Sequence, residues 1–212
     1  MPHYFAYGTT ETDYLKRKDK KLGAVIDRLG HIERETDTDV FSALVHHIIG
    51  QQISTKAQQT IWQRLQRFLG EVTPQNLYDA TEADIQALGI SLRKVNYIKD
   101  LAAKTVVGDF SPAGVAAMPD AEAIRALTAL KGVGVWTAEM ILLFSLERPD
   151  ILSYDDLAIR RGMQMVYRHK ELTRSLFLKY RRRLSPCGSV ASLYFWAVSG
   201  GALPELTVSK EL

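Results

Sequence analysis

Cysteine is nearly missing from this 212-residue chain, Cys187 being the only one. A lone thiol can form no intramolecular disulfide, no Cys-only zinc site and no four-thiolate iron–sulfur cluster. Of the five histidines, His46 and His47 are neighbours on an apparent helix and so point about 100° apart. The others show no ligand spacing, so no metal site is expected. Apolar runs fall well short of the roughly 18 residues a membrane span needs, so no membrane partner is expected. The opening MPHYFAYGTTETD has no basic stretch leading into an apolar one. It does not read as a secretory signal; a cytoplasmic location is expected, nucleoid-associated in a bacterium. Strand-like alternation is scarce, and neither a fixed-period repeat nor a long Ser/Gly/Pro linker occurs.

What is present is an ordinary globular composition, 46% hydrophobic and 24% charged, enough to bury a core. The net charge of +3 is unevenly spread: residues 153–183 hold nine Lys/Arg against three Asp/Glu, and the rest holds 18 against 21. Such gathering of positive charge suits an anionic polymer, or simply a solvated helical face. Apolar residues recur at three- and four-residue spacing. They predict helices over Leu15–Leu29, Val40–Gln51, Thr55–Leu69, Thr81–Leu88, Leu92–Val107, Ala121–Leu130, Val133–Leu146, Asp156–Arg168, Glu171–Arg183 and Ser189–Val198. Gly30, Gly70, Gly89 and Gly108 follow periodic stretches as left-handed caps do. Thr73-Pro74 and Asp120 read as helix starts. The fold class is therefore all-α. The chain reads as one unit of two helical lobes, roughly 36–130 and 131–212. Residues 1–35 pack on the second lobe, the first dozen of them mobile.

The most informative run is Leu130-Lys131-Gly132-Val133-Gly134-Val135-Trp136-Thr137-Ala138. A helix ends, a tight turn with two glycines follows, and a second helix begins. Glycines let backbone approach another surface closely, and a helix start offers unpaired N–H groups with a positive dipole end. This is either a phosphate site that ignores base sequence or a glycine-capped turn with nothing bound.

L-K-G-V-G-V-W-T-A, followed by Tyr154-Asp155-Asp156-Leu157-Ala158-Ile159-Arg160-Arg161, resembles the helix–hairpin–helix DNA glycosylase superfamily. The run Phe41 to Ser54 (FSALVHHIIGQQIS) and Leu88-Gly89-Ile90-Ser91-Leu92-Arg93-Lys94 resemble its 3-methyladenine DNA glycosylase II (AlkA-like) branch. The resemblance spans about residues 40–200. It implies a two-lobed helical fold with no extra N-terminal β domain and a monofunctional enzyme that removes alkylated purines in base excision repair. Its partner would be double-stranded DNA holding a damaged base, with no obligate protein partner. A glycosylase for mismatched, deaminated or oxidised bases, and a non-catalytic damage-binding module, are the competing readings.

The resemblance also assigns roles. Relatives that cut the backbone carry a lysine where this chain has Trp136, and an indole cannot form a Schiff base. Trp136, Met140 and Trp196 would line the base pocket, where electron-rich rings attract a cationic alkylated purine; Trp136, Met140 and Phe144 equally fit a packed helix face. Asp156, by register with Ile159 and Arg161, would be the carboxylate that stabilises oxocarbenium charge and orients water, leaving Asp155 as a cap or as a group that supports Asp156 from behind. Gln52 matches the residue that fills the gap left by the extruded nucleotide, or else merely ends a helix before Ser54 caps the next. Gln52, Ser54, Lys131, Gly132, Val133, Gly134, Val135 and Thr137 would form the DNA-binding surface. Lys56, Lys94 and the Arg160–Arg183 charges would add phosphate contacts. No cofactor is implied, save a possible monovalent cation on the hairpin carbonyls of Leu130 and Val133. The branch's W-x-P-[YW]-R is replaced by Leu184-Ser185-Pro186-Cys187-Gly188, with only the proline kept.

Overall fold

Asp19 divides what periodicity presents as one helix. Its carboxylate accepts the N–H groups of Lys21 (3.1 Å) and Leu22 (3.0 Å), the geometry of an N-cap. Helix α1 (Thr9–Lys18) therefore ends and α2 (Lys20–Leu29) begins in place of a single Leu15–Leu29 rod. In this computed structural model, which describes residues 3–208, residues 3–12 are not a loose end, and the first two of the expected mobile dozen lie outside the described residues. Strand β1 (His3–Tyr4) pairs antiparallel with β2 (Glu35–Thr36), and Phe5 N–H donates to Arg34 O at 2.9 Å. The strands are too short for their alternation to register as a pattern.

Eight helices follow: α3 (Val40–Gly50), α4 (Thr55–Leu69), α5 (Pro74–Asp79), α6 (Glu82–Ala87), α7 (Leu92–Val106), α8 (Pro112–Ala117), α9 (Asp120–Thr128) and α10 (Val135–Phe144). Helix α3 is one of the most apolar of this group. It buries Phe41, Leu44, Val45, Ile48 and Ile49 and packs on α4, α7 and α10. Thr73 caps α5 by accepting Asn76 N–H, with Pro74 in the first turn. Helix α8 uses the same grammar, Ser111 then Pro112, but is one short turn pair without apolar periodicity and leaves little trace in the sequence. Asp120 is the first residue of α9 rather than its cap, which is Pro119; there its charge still faces the positive helix end.

The chain closes with α11 (Leu157–Tyr167), α12 (Arg174–Leu184) and α13 (Gly188–Ser199). Helix α13 is apolar on every side, burying Val190, Ala191, Leu193, Tyr194, Phe195 and Val198, and packs on α1, α2, α11 and α12. A helix hydrophobic all round is a core helix. Gly162 makes its crossing with α11 possible: a Cβ there would fall 2.1 Å from the Phe195 carbonyl oxygen.

Two units result, 37–146 and the combination of 1–36 with 147–212. The lobe boundary thus falls at 146/147, not at 130/131. Helix α10 packs on α9 and α3, so the hairpin and both its helices stay in one unit.

Candidate active site

In the unit 37–146, the hairpin spans the turn between α9 and α10. Of its two glycines only Gly132 has positive φ, +80°. A Cβ on it would sit 2.3 Å from Tyr97 Cδ2, so glycine is required twice over, by conformation and by contact with α7. Gly134 is extended (φ −93°, ψ 175°) and caps α10 without a side-chain bond. Nothing lies within 4 Å of where its Cβ would be, so the start of α10 is open to an incoming group. Val135 and Trp136 are exposed, 47% and 39%. Val133 and Thr137 are buried, so their side chains, expected on the DNA surface, serve packing and only their backbone can meet a phosphate. Lys131 is exposed but bonded to Asp100 Oδ1 at 2.7 Å. That ammonium, with Lys104 second, holds the Asp100 carboxyl below its ordinary range.

The loop from Gly50 to Ser54 is tied to this hairpin. Gln51 Nε2 donates to Gly132 O at 2.6 Å. Lys94 donates to the carbonyls of Ile49 (2.8 Å) and Gln51 (2.7 Å). Its ammonium is buried and committed to those oxygens, so it is not the phosphate contact expected; burial and, next, Arg93 push its pKa down. Ser54 caps α4 by accepting Ala57 N–H at 3.2 Å. Between them Gln52 is exposed and left-handed, φ 57°. A non-glycine residue in that region is strained by about 1–3 kcal/mol and persists only where its surroundings hold it; here the Lys94 and Gln51 bonds do so. Met140, expected as a pocket wall beside Trp136, is 3% exposed. It lies one turn further along a helix that is apolar on most faces. Trp136 instead meets His47 of α3, edge to face, with centroids 5.9 Å apart at 82°.

In the other unit, Asp156 is 6% exposed and is itself the N-cap of α11. Its Oδ1 accepts Ile159 N–H at 2.8 Å and the indole N–H of Trp196 at 3.1 Å. The capping role expected of Asp155 therefore belongs to Asp156, and Asp155 is exposed. The α11–α13 crossing at Gly162 brings the carboxylate and Trp196 together. Tyr154, in the preceding loop, packs against Phe177 at 5.1 Å. The guanidinium groups of Arg160 and Arg174 lie 4.7 Å and 5.3 Å from its ring centre. Arg183, by contrast, is spent on the buried Asp19 at 2.9 Å. The segment that departs from the branch motif braces this same loop. Ser185 Oγ and Gly188 N–H donate to Asp150 at 2.6 and 3.0 Å, and Ser189 Oγ accepts Ile151 N–H at 2.9 Å.

Sequence reasoning thus passed over Gln51, Tyr97, Gly162 and His47. Only Gln51, beside the proposed wedge and flanked by a glycine, carried a local signal; the others matter through long-range contacts.

The family model for HhH-GPD superfamily base excision DNA repair proteins matches residues 45–186. A DNA-3-methyladenine glycosylase from Schizosaccharomyces pombe is 32% identical over 164 residues, covering 75% of this chain and 72% of its own. A solved DNA-3-methyladenine glycosidase from Bacillus halodurans superposes with TM-score 0.86 at 30% identity, over 96% of this chain and 95% of that one. An S. pombe 3-methyladenine DNA glycosylase in complex with abasic DNA gives TM-score 0.80 at 28% identity, over 91% and 97%.

Proposed function

This chain belongs to the HhH-GPD superfamily of base excision DNA repair proteins, and from that membership we propose that it is a monofunctional DNA glycosylase acting on alkylated purines of the 3-methyladenine and 7-methylguanine type. The observation that carries the reading is the buried Asp156 carboxylate, oriented by Ile159 N–H and the Trp196 indole. A pure DNA binder needs no anion here, since phosphates repel it and a serine or asparagine would cap α11 as well.

The proposed reaction is a hydrolysis. The glycosidic electron pair leaves with the base, which departs neutral because alkylation had made it cationic. Water adds to C1′ and gives up a proton, leaving free base and an abasic site. Such a leaving group needs no general acid, unlike a glycoside. Asp156 would offset the charge developing on the sugar and orient the water. Trp136 would offer an indole face to the cationic base. The open start of α10 and the turn at Gly132–Gly134 would hold a phosphate through backbone N–H groups, with Gln52 filling the gap in the stack. A monovalent cation on the Leu130 and Val133 carbonyls is part of the same proposal. Leu130 O accepts Val133 N–H at 3.2 Å and, having two lone pairs, can also take an ion; it would add positive charge near the phosphate. No helix among the described residues is long and apolar enough to cross a membrane, and we place the protein in the cytoplasm, at the nucleoid if bacterial.

Release of bases from methylated duplex DNA, set against 8-oxoguanine, hypoxanthine and mismatch substrates, tests substrate class. Wild type should free methylated purines, and Asp156→Asn should not while still binding the DNA. Borohydride should trap no protein–DNA adduct; a trapped adduct would refute the monofunctional assignment.

A further inference from the structure

His47 projects from α3 onto Trp136 of α10, within one unit, with the two rings nearly perpendicular at 82°. The preceding residue, His46, lies against Trp62 with centroids 4.8 Å apart. His47 is half-buried, and among the described residues nothing hydrogen-bonds to its ring. Trp136 beside it is 39% exposed. A polar ring with no hydrogen bond among the described residues thus packs perpendicular to a partly exposed indole.

Resting on the glycosylase reading above, we propose that His47 is a specificity-determining residue whose imidazole hydrogen-bonds to the edge of a purine stacked against Trp136. The rim of a purine carries its ring nitrogens and exocyclic group, and a purine laid on the exposed part of Trp136 brings that rim toward the imidazole packed against the same indole. A neutral imidazole has one donor and one acceptor, so it can pair with either kind of edge atom. Burial, and secondarily His46, push its pKa down to about 4, so the ring carries no charge at neutral pH. That matters for a cationic base, which a positive side chain at this distance would repel. A leucine or methionine at position 47 would pack on Trp136 equally well but would leave the purine edge unpaired.

The test is single-turnover release of 7-methylguanine by wild type, His47→Gln, His47→Leu and His47→Ala, beside binding of each to duplex DNA with a tetrahydrofuran abasic analogue. Loss of one hydrogen bond predicts about a tenfold slower release for the Leu and Ala variants. Glutamine, which keeps a donor and an acceptor, should stay within about threefold of wild type, and all four should bind abasic DNA alike, since no base is there to be read. A His47→Leu enzyme as fast as wild type, or one slower only in step with weaker abasic-DNA binding, would overturn the proposal. Wild type that frees no base would instead refute the glycosylase reading itself, and the His47 role with it.

Discussion

Trp196 donates its indole N–H to the same Asp156 oxygen that caps α11 through Ile159. One carboxylate thus has a structural role and a proposed chemical one, and substitutions can separate them. Asparagine caps a helix as well as aspartate and still offers an oxygen to both N–H groups. Asp156→Asn should therefore unfold within about 1 kcal/mol of wild type while base release falls by about a hundredfold or more. Asp156→Ala should lose both. Chemical denaturation alongside single-turnover excision checks this, and retained turnover in the Asn variant would remove Asp156 from the reaction.

The Gly132–Tyr97 contact predicts a coupled pair. Gly132→Ala forces a side chain into left-handed backbone and against the Tyr97 ring, at 2.3 Å from Cδ2. A cost of roughly 2 kcal/mol or more is expected from strain and overpacking together. In a Tyr97→Ala background only the backbone part should remain, giving a coupling of about 1 kcal/mol. Urea unfolding of the four proteins measures it; an equal cost in both backgrounds would show that the turn is not seated on Tyr97.

Arg160 and Arg174 share Tyr154 and have no carboxylate partner among the described residues. Stacking on a ring presets a guanidinium without neutralising it. On the proposed DNA-binding reading each would meet a phosphate, and each Arg→Ala change should weaken DNA binding regardless of the base present. The slope of log affinity against log salt should become shallower by about 0.9 per residue. Arg183→Ala, whose partner is the buried Asp19, should leave that slope unchanged and lower stability instead. Unaltered slopes for Arg160 and Arg174 would discard the assignment.

How far these sites could be read from sequence depended on how local their causes are. The helix α4, Thr55–Leu69, is set by a serine cap, apolar spacing and a terminal glycine, all within one segment, and its ends were legible to the residue. The choice of Asp156 over Asp155 rested on register with Ile159 and Arg161, a local pattern, whereas the Trp196 indole that meets its carboxylate comes from 40 residues away. Lys94 was illegible: its sequence neighbours Arg93 and Asn96 suggest a surface cation, and only the fold brings the Ile49 and Gln51 carbonyls to it. The α1–α2 break was missed for a similar reason. Asp19 lies in a run of lysines that reads as a solvated face, yet it is 3% exposed and paired with Arg183 from the far end of the chain.

Acid should weaken the fold through the α3 histidines. His47 titrates near 6.5 in the unfolded chain and about 4 when folded. Between those values the unfolded chain binds the extra proton, so stability falls as pH drops through 6.5 and the loss levels off below about 4. The full effect is roughly 3 kcal/mol at 1.36 kcal/mol per unit. Burial lowers His46 in the same direction, with Asp37 opposing, so it adds to the same window. Comparing wild type with His47→Leu cancels the carboxylates that titrate in both. Between pH 7 and 4.5 the variant should lose about 2 kcal/mol less than wild type, read from urea unfolding at each pH. Parallel acid limbs would mean that His47 protonates as easily folded as unfolded, and that its ring faces water rather than the Trp136 wall.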